Sequence, residues 1–336
     1  MMSLNNPSQF LDFIQQANHF GQHKEPFFFL IDFEQQKPII LPIEQAEKEQ
    51  IFFAISQPQG TKSNVNWSVN LPTENCHFSS EPMKFEDYQR GFNLVKDELQ
   101  KGNSYLLNLT YPSKIQTNYN LMQLFQQTKA SYKLLFKNEF VCFSPESFIQ
   151  IYENKIYTYP MKGTIDANIE NAEQTLLNSQ KELREHYTIV DLMRNDLAIV
   201  AKNIEVKRFR YVEKIHTEKG AILQTSSEIC GELAENWQSN IGDILAALLP
   251  AGSISGAPKE KTVEIIQQAE QQPRGYYTGI FGIFNGETLQ SAVAIRFIEK
   301  QGDNYYFRSG GGITIQSDVQ DEYDELCAKV YLPLIK

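Results

Sequence analysis

The sequence predicts one large α+β unit in which helices and β-rich runs are closely mixed. Three observations predict it. Strand-like and helix-like runs interleave at no fixed period, and no segment repeats another. No stretch has the composition of a linker. The length, 336 residues with 41% hydrophobic content, is long for one domain and short for three. Residues 1–83 read as a β-rich N-terminal segment of the same unit, and 84–336 as the part that carries the chemistry.

The elements follow from spacing and punctuation. Phe27 to Phe33 is a continuous apolar run, read as a buried strand ahead of a Pro-marked turn, and Gln57 to Asn75 is polar and loop-rich. Phe85, Tyr88, Phe92, Val95 and Leu99 keep helical spacing, and Gly102 supplies the stop. Ser104 to Thr110 is a strand, and a short helix spans Leu121 to Lys129. Phe140 to Tyr152 holds two β-rich runs broken at Ser144-Pro145, and Glu153-Asn154-Lys155 turns into a third, Ile156 to Tyr159. Ser179-Gln180-Lys181-Glu182 is a capping box opening a helix that runs from Glu182 to Met193. Strand-like stretches lie at Val206–Val212 and Leu223–Leu233. A helix over Ile241–Leu249 ends in the loop Pro250–Lys259. The next helix, Glu260–Gln271, carries Val263, Ile266 and Ala269 on one face. A β-meander follows: Tyr276–Phe284, a hairpin at Asn285-Gly286, Leu289–Glu299, and Tyr305–Gly310. The last helix opens at Ser317-Asp318 with Val319, Tyr323, Leu326 and Val330 as its core stripe.

Bulk properties exclude several functions. No run of about 18 apolar residues is present, so no transmembrane helix is expected. The N-terminus lacks the basic and apolar parts of a secretory signal. A net charge of −10, from 31 basic and 41 acidic residues, argues against nucleic-acid binding. Cys76, Cys142, Cys230 and Cys327 are scattered without a C-x-x-C pair, which fits a reducing, cytoplasmic setting.

Three groups of residues can carry chemistry. The meander can bring Glu146, at the head of one strand, near Lys162, just past the end of the next. Drawn out of water, an amine can lose its charge and a carboxyl can keep its proton, giving a nucleophile and a proton donor. Taken alone, Lys162-Gly163 reads as a surface lysine before a turn, since a lysine is rarely buried unless paired. Glu182 with Glu185, and Glu322 with Glu325, are acidic pairs three residues apart and therefore share a helix face. If the two helices face each other, one carboxylate from each can hold Mg2+ and the other two its water shell. Each pair alone reads as capping or solvated acids. Ser309-Gly310-Gly311-Gly312-Ile313, placed directly after a strand, lets backbone N–H groups approach an anion, without the spacing of a nucleotide fingerprint. Arg296, closing the apolar run Ala292–Ile295, is a candidate anion partner.

These pieces resemble the chorismate-utilising enzymes, and within them the aminodeoxychorismate synthase component I branch. The resemblance runs over residues 84–334. It rests on Gly102–Thr110, Ser144-Pro145-Glu146, Pro160–Thr164, Glu185-His186 with Val190–Leu197, Gly252–Lys259, Arg274–Tyr277, Ala294-Ile295-Arg296, Gly310–Gly312 and the helix bearing Glu322, Glu325 and Lys329, in that order. It implies an anthranilate-synthase-like fold: two packed, antiparallel-rich β-sheets flanked by helices. It implies that Glu185 and Glu325 ligate Mg2+, with Glu182 and Glu322 acting through water, and that the metal binds the ring carboxylate of chorismate. Gly163, Thr164, Tyr277, Arg296, Gly310, Gly312 and Lys329 are then the substrate-binding residues. Lys162 is the implied nucleophile toward ring C2 and Glu146 the acid that lets the 4-hydroxyl leave.

The resemblance also implies a glutamine amidotransferase subunit as ammonia source, because the chain has no G-x-C-x-G motif, and a separate lyase downstream. Three positions depart from the pattern: Gln224 stands where many relatives have His, Val319 where Pro is usual, and Met161 where Ile is commoner. The first 80 residues lack a convincing match to the tryptophan-binding segment of longer relatives. The rival readings are an anthranilate synthase component I, in which a small residue usually replaces Lys162, and a non-catalytic chorismate-binding or scaffolding paralogue.

Overall fold

The computed structural model describes residues 7–57, 60–66, 75–217 and 220–332. Of the polar stretch Gln57–Asn75, residues 58–59 and 67–74 lie outside that set.

Two nine-stranded sheets organise these residues, and every ladder described is antiparallel. The first runs Met161–Asp166, Gly220–Glu232, Lys155–Thr158, Ser147–Tyr152, Leu289–Val293, Ile280–Phe284, Phe27–Ile31, Ile39–Pro42, with Lys202–Thr217 also paired to Gly220–Glu232. The second runs Gly256–Ala257, Leu106–Thr117, Asn304–Ile313, Phe297–Gln301, Phe140–Ser144, Tyr132–Phe136, Ile51–Gln57, Gly60–Ser63, with Phe78–Glu81 on Leu106–Thr117. The expected α+β class with two packed sheets and flanking helices is what forms.

The apolar run at Phe27 shows why the layers stack as they do. Phe27, Phe29 and Ile31 face a core shared with Phe13, Ile189, Ile241 and Leu245 of the helical layer. Phe28 and Leu30, pointing the other way, join Phe53, Leu134, Phe281 and Phe297 between the sheets. A strand buried on both faces must be apolar at every position, hence the unbroken run.

Several elements depart from the sequence reading. The N-terminal segment is not only β-rich, because Pro7–Gln22 is a helix packed against Ile241–Leu248. Its apolar residues are interspersed with Gln, Asn and His, which hid the stripe. The helix Phe85–Gln100 ends as expected: Gly102, at φ +76°, donates to Leu99 while Asn103 donates to Glu98. The Ser179 side chain caps Gln180–Val200, seven residues longer than the pattern to Met193 required. The loop Pro250–Lys259 holds a turn of helix at Gly252–Ser255. The three glycines lie within the strand Asn304–Ile313, opposite Thr110, Leu109 and Asn108, instead of after it.

The largest correction concerns two runs read as parts of continuous meanders. Phe140–Ser144 belongs to the second sheet and Ser147–Tyr152 to the first, so Ser144-Pro145-Glu146 is a crossing between layers. Leu289–Glu299 likewise splits at Ala294–Arg296 into strands of different sheets. The crossings lie side by side. Val293 N–H donates to the Glu146 carbonyl at 3.2 Å and Phe143 N–H to the Arg296 carbonyl at 3.1 Å. Backbone groups leaving one ladder need partners, and each crossing supplies them to the other. Arg296 takes φ +52°, a conformation costing a non-glycine residue about 1–3 kcal/mol, which the surrounding pairing holds in place.

A buried ion pair ties the sheets to the helices. Arg274 Nε and Nη2 reach the Glu270 carboxylate at 3.0 and 2.6 Å. The remaining donors go to the Ile254 carbonyl, Thr278 Oγ1 and the Asn108 carbonyl. Glu270 in turn accepts from the Thr110 N–H and hydroxyl, both at 2.9 Å. Removing one partner of such a pair strands a charge at a cost of about 3–5 kcal/mol. Arg274→Met is therefore expected to lower unfolding free energy by about that amount in urea titration, and Arg274→Met combined with Glu270→Gln by less than Arg274→Met alone. A double variant less stable than the single one contradicts this account.

Candidate active site

A cleft of about 670 Å³ opens between the N-terminal half of the helix Gln180–Val200 and the helix Val319–Ala328. Its wall includes Glu146, Lys162, Glu185, Ser253, Gly312, Glu322 and Lys329. The sheet crossing and the end of the meander thus bring Glu146 and Lys162 to one cavity, although neither is near the other in the chain.

Lys162 sits in the irregular strand Met161–Asp166, whose register shifts between Met161 and Thr164. Gly163 takes φ +95°, and a Cβ there would meet Glu182 Oε2 at 2.9 Å, so glycine suits both the backbone and the space. The Lys162 carbonyl is held from below. It accepts from the Thr225 hydroxyl and from His186 Nδ1 at 3.3 Å. Ser227 Oγ lies 2.7 Å from His186 Nε2 and accepts the Arg210 N–H at 2.8 Å, which leaves its own proton for Nε2. Burial, the largest influence, and Arg210 lower the His186 pKa, so the ring is neutral with its proton on Nδ1.

The Lys162 ammonium lies 3.0 Å from Glu185 Oε2. Burial alone lowers its pKa, as the sequence suggests, but Glu185, Glu325 and Glu182 outweigh that effect. The group stands above the ordinary lysine value. Lys329 behaves oppositely. Its Nζ pairs with Glu325 Oε1 at 2.6 Å and donates to the Gly310 carbonyl at 2.8 Å. Burial, together with Arg296 and Lys162, brings it below the ordinary value despite Glu325.

Glu146 accepts a 2.5 Å hydrogen bond from the Ser253 hydroxyl. Burial pushes its carboxyl up, against the opposing pull of Ser253, Arg296 and Lys329. That is the condition of an acid that keeps its proton.

The four glutamates converge from two helices. Burial and the neighbouring carboxylates raise Glu182 and Glu322. For Glu325, burial is again the largest influence, but Lys329, Lys162 and Lys181 together bring the carboxyl below the ordinary value. Four carboxylates against Lys162 and Lys329 leave surplus negative charge, a hard-oxygen donor set that fits a divalent cation such as Mg2+. Among the described residues no three such groups stand in a ready coordination shell. Glu185 and Glu325 are each bonded to a lysine instead.

The other expected residues are distributed around this cleft. Gly312 is on the wall, and a Cβ on Gly311 would approach Glu322 Oε2 to 3.1 Å. At Gly310 a Cβ would meet the Leu109 carbonyl at 2.2 Å, so the close strand approach requires glycine. Arg296 has a buried Nε without a protein partner and its guanidinium 5.5 Å from the Tyr331 ring. Tyr277 is buried between the sheets against Phe297. Thr164 is exposed opposite Gln224. Glu182, Glu325, Gly163, Thr164, Tyr277, Arg296 and Gly310 are not on the cleft wall itself. Residues the sequence reading passed over are His186, Thr225, Ser227 and Ser253, which hold Lys162 and Glu146. His186 follows Glu185 directly, and Ser253 lies in the loop singled out for resemblance, but a supporting role leaves no signature of its own.

The profile of the chorismate binding enzyme family matches residues 5–334. An uncharacterized PabA-like protein of Pasteurella multocida is 66% identical over 96% of this chain and 98% of its own length. Aminodeoxychorismate synthase component 1 of Escherichia coli is 32% identical over 74% of this chain, which spans 57% of that protein. An anthranilate synthase component 1 of Acetivibrio thermocellus is 30% identical over 82% of this chain and 57% of its own length. In fold, the menaquinone-specific isochorismate synthase MenF of Escherichia coli superposes with a TM-score of 0.68 over 96% of this chain and 80% of that one, at 16% identity. With a family profile covering nearly the whole sequence and carboxylates, lysines and a buried acid gathered on one cleft, the chain belongs to the chorismate binding enzyme family.

Proposed function

We propose that this protein is an aminodeoxychorismate synthase, converting chorismate and ammonia into 4-amino-4-deoxychorismate for 4-aminobenzoate and folate synthesis. The observation that carries the reading is the presence of Lys162 and Glu146 on the wall of one cleft. An amine without an acid could not expel hydroxide, and an acid without the amine would have no nucleophile to serve.

In this reading the Lys162 ammonium, paired with Glu185 in the structure, first gives its proton to water. The amine then attacks ring C2, the two ring double bonds each shift one position toward C4, and the 4-hydroxyl departs as water with the proton of Glu146. Ammonia then adds at C4, the C2–N bond breaks, and the electrons return to Lys162. The proton lost by the incoming ammonia restores Glu146. Glu185 and Glu325 would hold Mg2+ directly and Glu182 and Glu322 through water. Bound there, the ion supplies the positive charge that a dianionic substrate needs in an acid-rich cleft. Arg296 and Lys329 are assigned to the substrate carboxylates, with Gly163, Thr164, Tyr277, Gly310 and Gly312 lining or shaping the same region. A glutamine amidotransferase subunit supplies ammonia and a separate lyase takes the product.

Incubation with chorismate, ammonium and Mg2+ tests the assignment by product. A para-amino product supports it, an ortho-amino product indicates an anthranilate synthase, and no turnover indicates a non-catalytic paralogue. Lys162→Ala is expected to abolish 4-amination, and unchanged 4-amination would remove the covalent step.

Glu146 must be protonated to act, and burial raises its pKa. Turnover should therefore fall as pH rises through that raised value. Glu146→Gln should lower kcat by about 10²–10⁴-fold. An E146Q enzyme as active as wild type would exclude the acid role.

Glu185→Gln and Glu325→Gln should each raise the Mg2+ concentration required for half-maximal rate, measured by metal titration. An unchanged requirement in both would move the metal elsewhere.

A further inference from the structure

Glu146 does not hold its own position. Its carboxyl Oε1 takes the hydroxyl proton of Ser253, and Ser253 lies in the single helical turn Gly252–Ser255. The start of that turn is fastened from another element. The Asp196 carboxylate, near the end of the helix Gln180–Val200, sits beside the Gly252 N–H. A Cβ on Gly252 would fall 2.5 Å from Asp196 Oδ2, so the approach is close enough to require glycine. Asp196 Oδ1 also meets Lys259 Nζ at 3.0 Å, and Lys259 Nζ donates to the Leu248 carbonyl at 2.8 Å. The segment from Leu248 to Lys259 is thereby closed on itself around one buried carboxylate. Asp196, Ser253 and Glu146 line the same small cavity of about 20 Å³, and Ser253 and Glu146 also line the substrate cleft.

We propose that Asp196 is a positioning residue for Glu146, acting through the Gly252–Ser255 turn to keep Ser253 against Oε1. With Oε1 occupied as an acceptor, the acid proton resides on Oε2, the oxygen left to meet the leaving hydroxyl. One helix thus serves both halves of the reaction: Glu185 near its start pairs with Lys162, and Asp196 near its end fixes the acid. This rests on the reading of Glu146 as proton donor.

The test reads Glu146 directly. Its carboxyl stretch, identified by its loss in Glu146→Gln, is titrated by difference infrared spectroscopy in the full-length protein without substrate. Arg296 and Lys329 are the charged groups facing Glu146, and Lys259 is the one facing Asp196. These groups are unchanged in the Ser253 and Asp196 variants. The Ser253 donor favours the carboxylate, so Ser253→Ala should move the Glu146 titration to higher pH. Asp196→Ala should move it the same way, the double variant no further, and Asp196→Asn, which keeps an acceptor for Gly252, should largely restore it. In turnover, D196A should lower kcat by roughly 10-fold or more with KM nearly unchanged, a fraction of the 10²–10⁴ that a placed acid contributes. Should D196A fail to fold, Lys259→Met loosens the same closure and is expected to give the same shift. A D196A or K259M protein that titrates like wild type, or a D196A shift that adds to that of S253A, overturns the proposal. Absence of 4-amination in the wild type, with these shifts present, would reject the proposed activity and leave the positioning role standing.

Discussion

A guanidinium buried to 2% exposure is costly unless its donors are satisfied, and in Arg274 each nitrogen has a partner. Its partners come from the helix Lys259–Glu270, the turn at Ile254, the strand bearing Asn108 and the loop at Thr278. Glu270 extends the reach to the backbone of Thr110. Packing of apolar side chains is nondirectional and would accept small displacements of these elements. The ion pair does not. It sets the position of the Gly252–Ser255 turn relative to the second sheet, and with it the hydroxyl that contacts Glu146.

The cleft is a consequence of where the chain changes sheets. Two neighbouring crossings satisfy one another's backbone and present Glu146 and Arg296 at the seam. The long helix Gln180–Val200 runs over the seam, and the helix Val319–Ala328 approaches from the other side, so that acidic faces meet above a row of glycines. Gly310 allows the close approach of the neighbouring strand and Gly311 that of the helix glutamates, and there Lys329 bonds a strand carbonyl while still pairing with Glu325. Electrostatics here are finely opposed. Lys162 is raised and Lys329 lowered within one cluster, because the first faces three carboxylates and the second faces one carboxylate and two cations.

Much of the site was legible in the primary structure. Acids three residues apart on a helix share a face whatever the fold, so Glu182 with Glu185 and Glu322 with Glu325 were visible as pairs. Lys162 before Gly163, and Glu146 after Ser-Pro, were visible as candidates because those neighbours mark chain reversals. The crossings were not legible. A strand that leaves one sheet for another has the same residue types as one that continues, and nothing in Leu289–Glu299 announces that Val293 and Phe297 belong to different layers. Nor was the Lys162 charge state legible, since burial and neighbouring carboxylates act in opposite directions and only distances decide which wins.

Local rules therefore determined the element types, the acidic helix faces, the helix stop at Gly102, the helix start at Asp318, and the individual motifs that carry the family resemblance, since each depends on residues within a few positions of one another. The meander already suggested that Glu146 and Lys162 come together; tertiary structure alone decided that Asp196 lies against the turn bearing Ser253 and that the glycine row lies inside a strand. These are contacts between segments tens to hundreds of residues apart. Their geometry is set by which sheet each strand joins, a choice made by the whole core and not by any window of sequence.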